Sequence, residues 1–174
     1  MYNEQQQIAV RGKHPQLASD VFLAPGARVV GDVEIQEASS VWFNALIRGD
    51  VNRIRIGREV NIQDGAILHC TYRESETHIG HRVSIGHGAI VHGCRLHDYV
   101  LVGMGAKLLD HVEAEPWVLV AAGAVVTPGT RLETGHLYAG VPAKKIRPLT
   151  DEERKTIRRT PEKYQQYAGW YTNR

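Results

Sequence analysis

A left-handed parallel β-helix closed by a C-terminal α-helix is the fold this sequence predicts, on three observations. Aliphatic residues recur every six positions over most of the chain. A small or β-branched residue follows nearly every one of them four positions later. After the last repeat comes a polar tail of helical pattern. A hexad whose first and fifth residues point inward describes a short strand and a corner. Three hexads close one triangular coil, and stacked coils bury a continuous core.

The series opens at Leu23, Val29, Ile35, Val41 and Ile47, with Ala27, Val33, Ser39, Ala45 and Val51 four positions on. A three-residue insertion precedes Ile56, Ile62 and Leu68, and a second insertion around residues 72–77 precedes Ile79, Ile85 and Val91. A one-residue deletion then resets the register to Leu96, Val102, Leu108, Ala114, Val120, Val126 and Leu132. These are eighteen hexads, or about six coils. No amphipathic helix fits a period of six. A sandwich of hairpins needs turn dipeptides at regular intervals, and Asp64-Gly65 alone qualifies, inside the hexad register.

Residues 135–149, with Gly140, Pro142 and Pro148, read as an exit loop. Thr150 followed by Asp151, Glu152 and Glu153 is a capping box at a helix start. Thr160-Pro161-Glu162 is a second start signal, so residues 151–174 form one kinked helix or two short ones. Ile157, Tyr164, Tyr167 and Tyr171 are expected against the side of the prism. The division is therefore 1–149 for the β-helix with its N-terminal extension and exit loop, and 150–174 for the helix.

Composition narrows the partners. In 174 residues, 21 Lys and Arg face 19 Asp and Glu, and no basic stripe interleaved with aromatics points to nucleic acid. Apolar runs such as 118–122 are too short to span a bilayer. The Gln-rich N-terminus has no apolar core of a secretory signal. Two cysteines, Cys70 and Cys94, make no disulfide framework and suit a reducing cytosol.

The phase of the repeat sorts the nine histidines. His69 follows Leu68, and His92 follows Val91 three hexads later, so the two stack in one column about 4.8 Å apart along the axis. Arg48 falls in that column one coil below. Two imidazoles one rung apart can converge on one ion, whose Zn–N bonds are roughly 2.0–2.1 Å. His87 sits on the preceding face, and the chain from it to His92 spans up to ~16 Å. It is expected to reach the His69–His92 pair of a neighbouring subunit about a threefold axis. His14, His78, His81, His97, His111 and His136 show no such convergence and read as surface or corner residues, and a solitary His69 would read as structural. Spacing alone leaves both readings open.

Ile47-Arg-Gly-Asp50, Asn61-Ile-Gln-Asp-Gly-Ala-Ile-Leu-His69 and Ile85-Gly-His-Gly-Ala-Ile-Val-His92-Gly-Cys94 together resemble the gamma-class carbonic anhydrases and their bacterial homologues. The resemblance implies that His69, His87 and His92 are metal ligands shared between subunits of a trimer. It implies an interface pair in Arg48 and Asp50, a residue hydrogen-bonding the reacting water in Gln63, a supporting carboxylate in Asp64 and an active-site tyrosine in Tyr138. The repeat also places Asp64 directly below His87. The best-described members carry a long acidic loop after the first ligand; here residues 70–78 are short and offer Glu74 and Glu76 for proton export. The implied activity is reversible hydration of CO2 to bicarbonate with Zn2+, or Fe2+, as the ion, in a cytoplasmic homotrimer. The alternatives are an acyl-CoA acyltransferase or thioesterase, whose histidine acts as a general base without metal, and a metal-stabilised structural trimer.

Overall fold

The computed structural model describes residues 6–172. The first five residues and the last two, where the start of the Gln-rich N-terminus and the end of the expected helix fall, lie outside the described residues. The chain winds into a parallel β-solenoid of about seven turns with one C-terminal helix.

The strand register follows the hexads. Val29 pairs Ile47, Ile47 pairs Leu68, Leu68 pairs Val91, Val91 pairs Leu108 and Leu108 pairs Val126. The spacing from coil to coil widens at each insertion and tightens at the deletion, while the inward column stays aligned. All six of these side chains are completely buried. Ala27, Ala45, Ala66, Ala89, Ala106 and Ala124 line one inner corner, each at most 1% exposed. This corner is filled by alanine in every one of these coils, while the fifth positions of the other faces admit valine, as at Val60, Val83 and Val100.

The solenoid starts one hexad earlier than expected. Leu17 pairs Ile35, and Val21, four residues after Leu17, is buried. A still earlier strand, Gln7–Ile8, sets Gln7 opposite Val29; a glutamine at an inward position hides it from any hydrophobic period. The slot expected for Val51 is taken by Ile54, which pairs Val33 and is fully buried. The inserted residues form a bulge, and Val51 gives up the inward slot but stays half-buried against the core. Residues 135–149 are not a simple exit loop either. Strand His136–Gly140 adds a further rung above Leu119–Val120, and strand Ala143–Pro148 returns antiparallel to it, covering the open edge.

One corner departs from ordinary turn chemistry. Glu59, Arg82, Tyr99 and Trp117 all have left-handed φ, between 55° and 62°, a conformation that costs non-glycine residues about 1–2 kcal/mol each. Their side chains form a ladder that offsets this cost. Glu59 pairs Arg82 at 3.0 Å, Arg82 lies 5.7 Å from the Tyr99 ring centre, and Tyr99 stacks on Trp117 at 4.3 Å. Arg154 and Arg158 of the helix then cover Trp117.

That helix, α1 (Asp151–Thr172), starts at the expected capping box. The Glu153 amide donates to Thr150 Oγ1 at 3.2 Å, and the Thr150 amide donates to Glu153 Oε2 at 2.8 Å. Of the two forms expected for the tail, a single helix forms and runs through Pro161. Ile157 is buried, and Tyr164 and Tyr171 set their rings 5.2 and 5.9 Å from Trp42. Tyr167 packs on Tyr164 and Trp170. Among the described residues no helix is long and apolar enough to cross a membrane.

Candidate metal centre

The parallel register carries His69 and His92 into one column. His92 pairs His69 directly, one coil apart, and His69 Nδ1 lies 3.2 Å from His92 Nε2. Arg48 stands below them and holds Asp50 at 2.6 Å, and Asp50 reaches His69 Nε2 at 3.1 Å. Burial would raise the Asp50 carboxyl, but its bonds to Arg48 and His69 outweigh burial and hold it below the usual range. Burial lowers His69, with the Arg48 charge acting in the same direction against the pull of Asp50. A neutral imidazole is the form that binds metal.

His87 occupies another face. The strand Ser84–Ile85 pairs Asn61–Ile62, which seats His87 over Asp64, and the two meet at 2.8 Å between Nδ1 and Oδ2. A carboxylate on Nδ1 fixes the tautomer and leaves the lone pair on Nε2. Gln63, adjacent to Asp64, is buried; its Nε2 donates to Asn61 Oδ1 at 2.9 Å, and Asn61 donates to Ser84 at 2.8 Å. The relay engages one N–H of the Gln63 amide and fixes its orientation, leaving its carbonyl oxygen as an acceptor. Among the described residues, no three His, Cys, Asp or Glu side chains of this one chain converge on a common point that could hold a metal ion. The three histidines therefore divide two and one.

The other expected residues lie apart. Glu76 is taken up by Arg53 at 2.8 Å and His78 at 2.9 Å, chiefly Arg53 holding its carboxyl down. Glu74 is exposed and 3.8 Å from His111. Tyr138 fills the inward position of the last coil opposite Val120, where its hydroxyl accepts the Glu133 amide at 2.9 Å. It stands three rungs above the His87 coil, roughly 14 Å along the axis, and within one chain serves as a core plug.

The structure adds residues that sequence reasoning missed. Asp110 lies 3.2 Å from His92 Nδ1 through either oxygen, and Thr71 and Ser75 donate to it. The hexad phase carries the signal: Asp110 sits two residues after Leu108, one rung above Gly93. Tyr164 of α1 sets its hydroxyl 3.4 Å from His87 Nε2, and burial, aided by Asp64, pushes its pKa up to about 12. No repeat arithmetic could place it, because the docking of α1 is not written in the hexads. Cys70 and Cys94 are free and buried, and burial pushes both thiols up, so neither is poised as a thiolate.

Each of the three histidines thus carries its own carboxylate: Asp50 on His69, Asp64 on His87 and Asp110 on His92. No family model matches the chain. It is 46% identical over 146 residues to the protein named Gamma carbonic anhydrase 2, mitochondrial, of Arabidopsis thaliana, covering 81% of this chain. It spans about half the length of that relative, 52%. It is 45% identical over 148 residues to "Probable carbonic anhydrase" of Methanocaldococcus jannaschii, covering 85% of this chain and 92% of the relative. Among solved structures, a hexapeptide transferase family protein from Anaplasma phagocytophilum superposes with a TM-score of 0.93 at 36% identity, covering 97% of this chain and 99% of the other. On the relatives' identity and coverage, the chain belongs to the gamma carbonic anhydrase family.

Proposed function

We propose that this chain catalyses the reversible hydration of CO2 to bicarbonate at a metal ion held by His69 and His92 of one subunit and His87 of its neighbour in a homotrimer. The observation that carries the reading is the 3.2 Å between His69 Nδ1 and His92 Nε2. Two nitrogen ligands on a tetrahedral zinc with bonds of about 2.0–2.1 Å lie roughly 3.3 Å apart. The donor set fits the ion, since three neutral imidazoles leave a fourth position open. Ferrous iron accepts the same donors.

Contribution of His87 from a second chain is supported by what adjoins the two half-sites. Ile67, on the His69 face, is 40% exposed, and Met104, one rung above His87, is 60% exposed. An apolar residue beside each half-site suits a contact between copies closed by cyclic symmetry. The buried thiols suit a cytoplasmic setting.

A zinc held by His69, His92 and His87 would supply a Lewis acid able to bring the ionisation of water to near pH 7. The chain's own residues do the rest. Asp50, Asp64 and Asp110 fix the three rings. Gln63, clamped through Asn61 and Ser84, offers its carbonyl oxygen to orient the reacting water. Glu76 is tied to Arg53 and His78, which leaves the exposed Glu74 beside His111 as the route for the exported proton.

Acyl transfer is the second reading, favoured by the likeness to the Anaplasma protein, which is named as a member of the hexapeptide transferase family. A histidine acting as general base needs no metal, so metal dependence separates the two. The test is stopped-flow CO2 hydration by protein loaded with zinc or, anaerobically, with iron, beside His92→Ala. Metal-dependent turnover lost in His92→Ala is expected; a fully loaded protein without turnover overturns the proposal.

A further inference from the structure

We infer that Asp110 is the positioning residue for His92, and that the short loop after His69 serves to hold it. The inference rests on the metal reading of His69 and His92. Asp110 meets His92 Nδ1 at 3.2 Å through both carboxylate oxygens. This pins the proton on Nδ1 and leaves Nε2, the atom facing His69, with its lone pair for a ligand.

The loop is built around that carboxylate. Thr71 Oγ1 donates to Asp110 Oδ1 at 3.0 Å, and Ser75 Oγ donates to the same oxygen. Ser75 Oγ in turn accepts the Thr71 amide at 3.0 Å, so the serine cannot turn away without leaving that donor unpaired. Residues 71–75 are one tight turn, closed by the Glu74 and Ser75 amides on the Thr71 carbonyl at 3.2 and 3.3 Å. Beyond it, Thr77 Oγ1 donates to the His69 carbonyl at 2.7 Å, and the Gly93 amide donates to the same carbonyl at 3.0 Å. The loop therefore joins the backbone of one ligand to the ring of the other.

Gly93 makes room for this assembly. Its φ is +58°, and a Cβ there would overlap Asp110 Oδ1 and Ser75 Oγ and stand 2.7 Å from Ser75 Cβ. The space beside His92 is filled by the carboxylate and hydroxyl of this network. Ser75 is 4% exposed although it lies in an insertion, because the outward loop folds back on the flank of the coil. In this chain the short loop clamps a ligand.

The test measures zinc affinity by competition with a chromophoric chelator, and the melting temperature of the metal-free protein. Variants are Asp110→Asn, which keeps the shape, the double variant Thr71→Ala/Ser75→Ala, and Arg73→Ala as a control in the same loop. Asp110→Asn is expected to weaken zinc binding about 10–100-fold, the double variant in the same direction by less, and Arg73→Ala not at all. Wild-type zinc affinity in Asp110→Asn overturns the inference, whatever its melting temperature, because Asp110 is then only structural. Wild-type affinity in the double variant overturns the role given to the loop. A native chain that binds no zinc removes the metal reading itself, so the two failures are distinguishable.

Discussion

His69 and His92 are 23 residues apart in sequence, yet their ring nitrogens lie 3.2 Å from one another. Their closeness follows from the coil: one full turn of solenoid plus an outward loop returns the chain to the same column. The insertion between them leaves the register intact, because the extra residues bulge outward while Leu68 and Val91 stay paired in the core.

Gly93→Ala tests how tightly the column is built. Alanine there must adopt a left-handed φ and overlap Asp110 and Ser75. We expect a loss of about 2–5 kcal/mol in denaturant unfolding, combining backbone strain with overpacking. A variant as stable as wild type would show that Ser75 and Asp110 yield without cost.

Tyr164→Phe removes the hydroxyl that sits 3.4 Å from His87 Nε2 and keeps the ring against Trp42. The bond is long, so its loss frees His87 Nε2 at small cost. Zinc should bind at most a few-fold more tightly, in keeping with the modest net value of one hydrogen bond, and the melting temperature should hold. Weaker zinc binding would instead make the tyrosine a support for His87.

Glu153 gives the solenoid–helix junction an acid-sensitive cap. Arg147, which holds both its oxygens at 2.8 and 2.9 Å, and the Thr150 amide lower its pKa from 4.5 to about 2. Because the folded pKa is depressed, its contribution is complete above pH 4.5 and is lost as pH falls toward 2. Glu153→Gln should lower stability at neutral pH by about 0.5–2 kcal/mol, the usual range for a cap. The gap to wild type should close across that acid window when melting is followed by circular dichroism. An equal gap in acid and at neutral pH would contradict the cap's ionic character.

The hexad period carried most of the fold because it is a burial period: Val29, Ile47, Leu68, Val91 and Leu108 are inward, and nothing but a coil fits that spacing. It failed where the chain breaks its own rule. Gln7 occupies an inward slot, Ile54 supplants Val51 at a bulge, and the hairpin over the last coil pairs antiparallel. The same arithmetic that set Asp64 under His87 also sets Asp110 above Gly93, so Asp110 was legible and overlooked. Tyr164 was expected against the prism, but its contact with His87 was not legible, since the exact seat of the helix depends on Trp42, Phe22 and Phe43 rather than on any repeat. Tyr138 shows the converse, a resemblance whose matching residue is spent within this chain as a core plug.

A metal centre that takes ligands from two chains can be rebuilt by mixing two variants that each lack one side of it. His69→Ala and His87→Ala chains, each inactive alone, are refolded together in equal amounts, and zinc bound and CO2 hydration are measured. Half the chains keep the His69–His92 side and the other half keep His87, so random cyclic assembly completes about a quarter of the centres. Recovery near that fraction in both zinc and turnover is the predicted result. No recovery beyond the separate variants, in assemblies shown to be mixed, would contradict a shared centre.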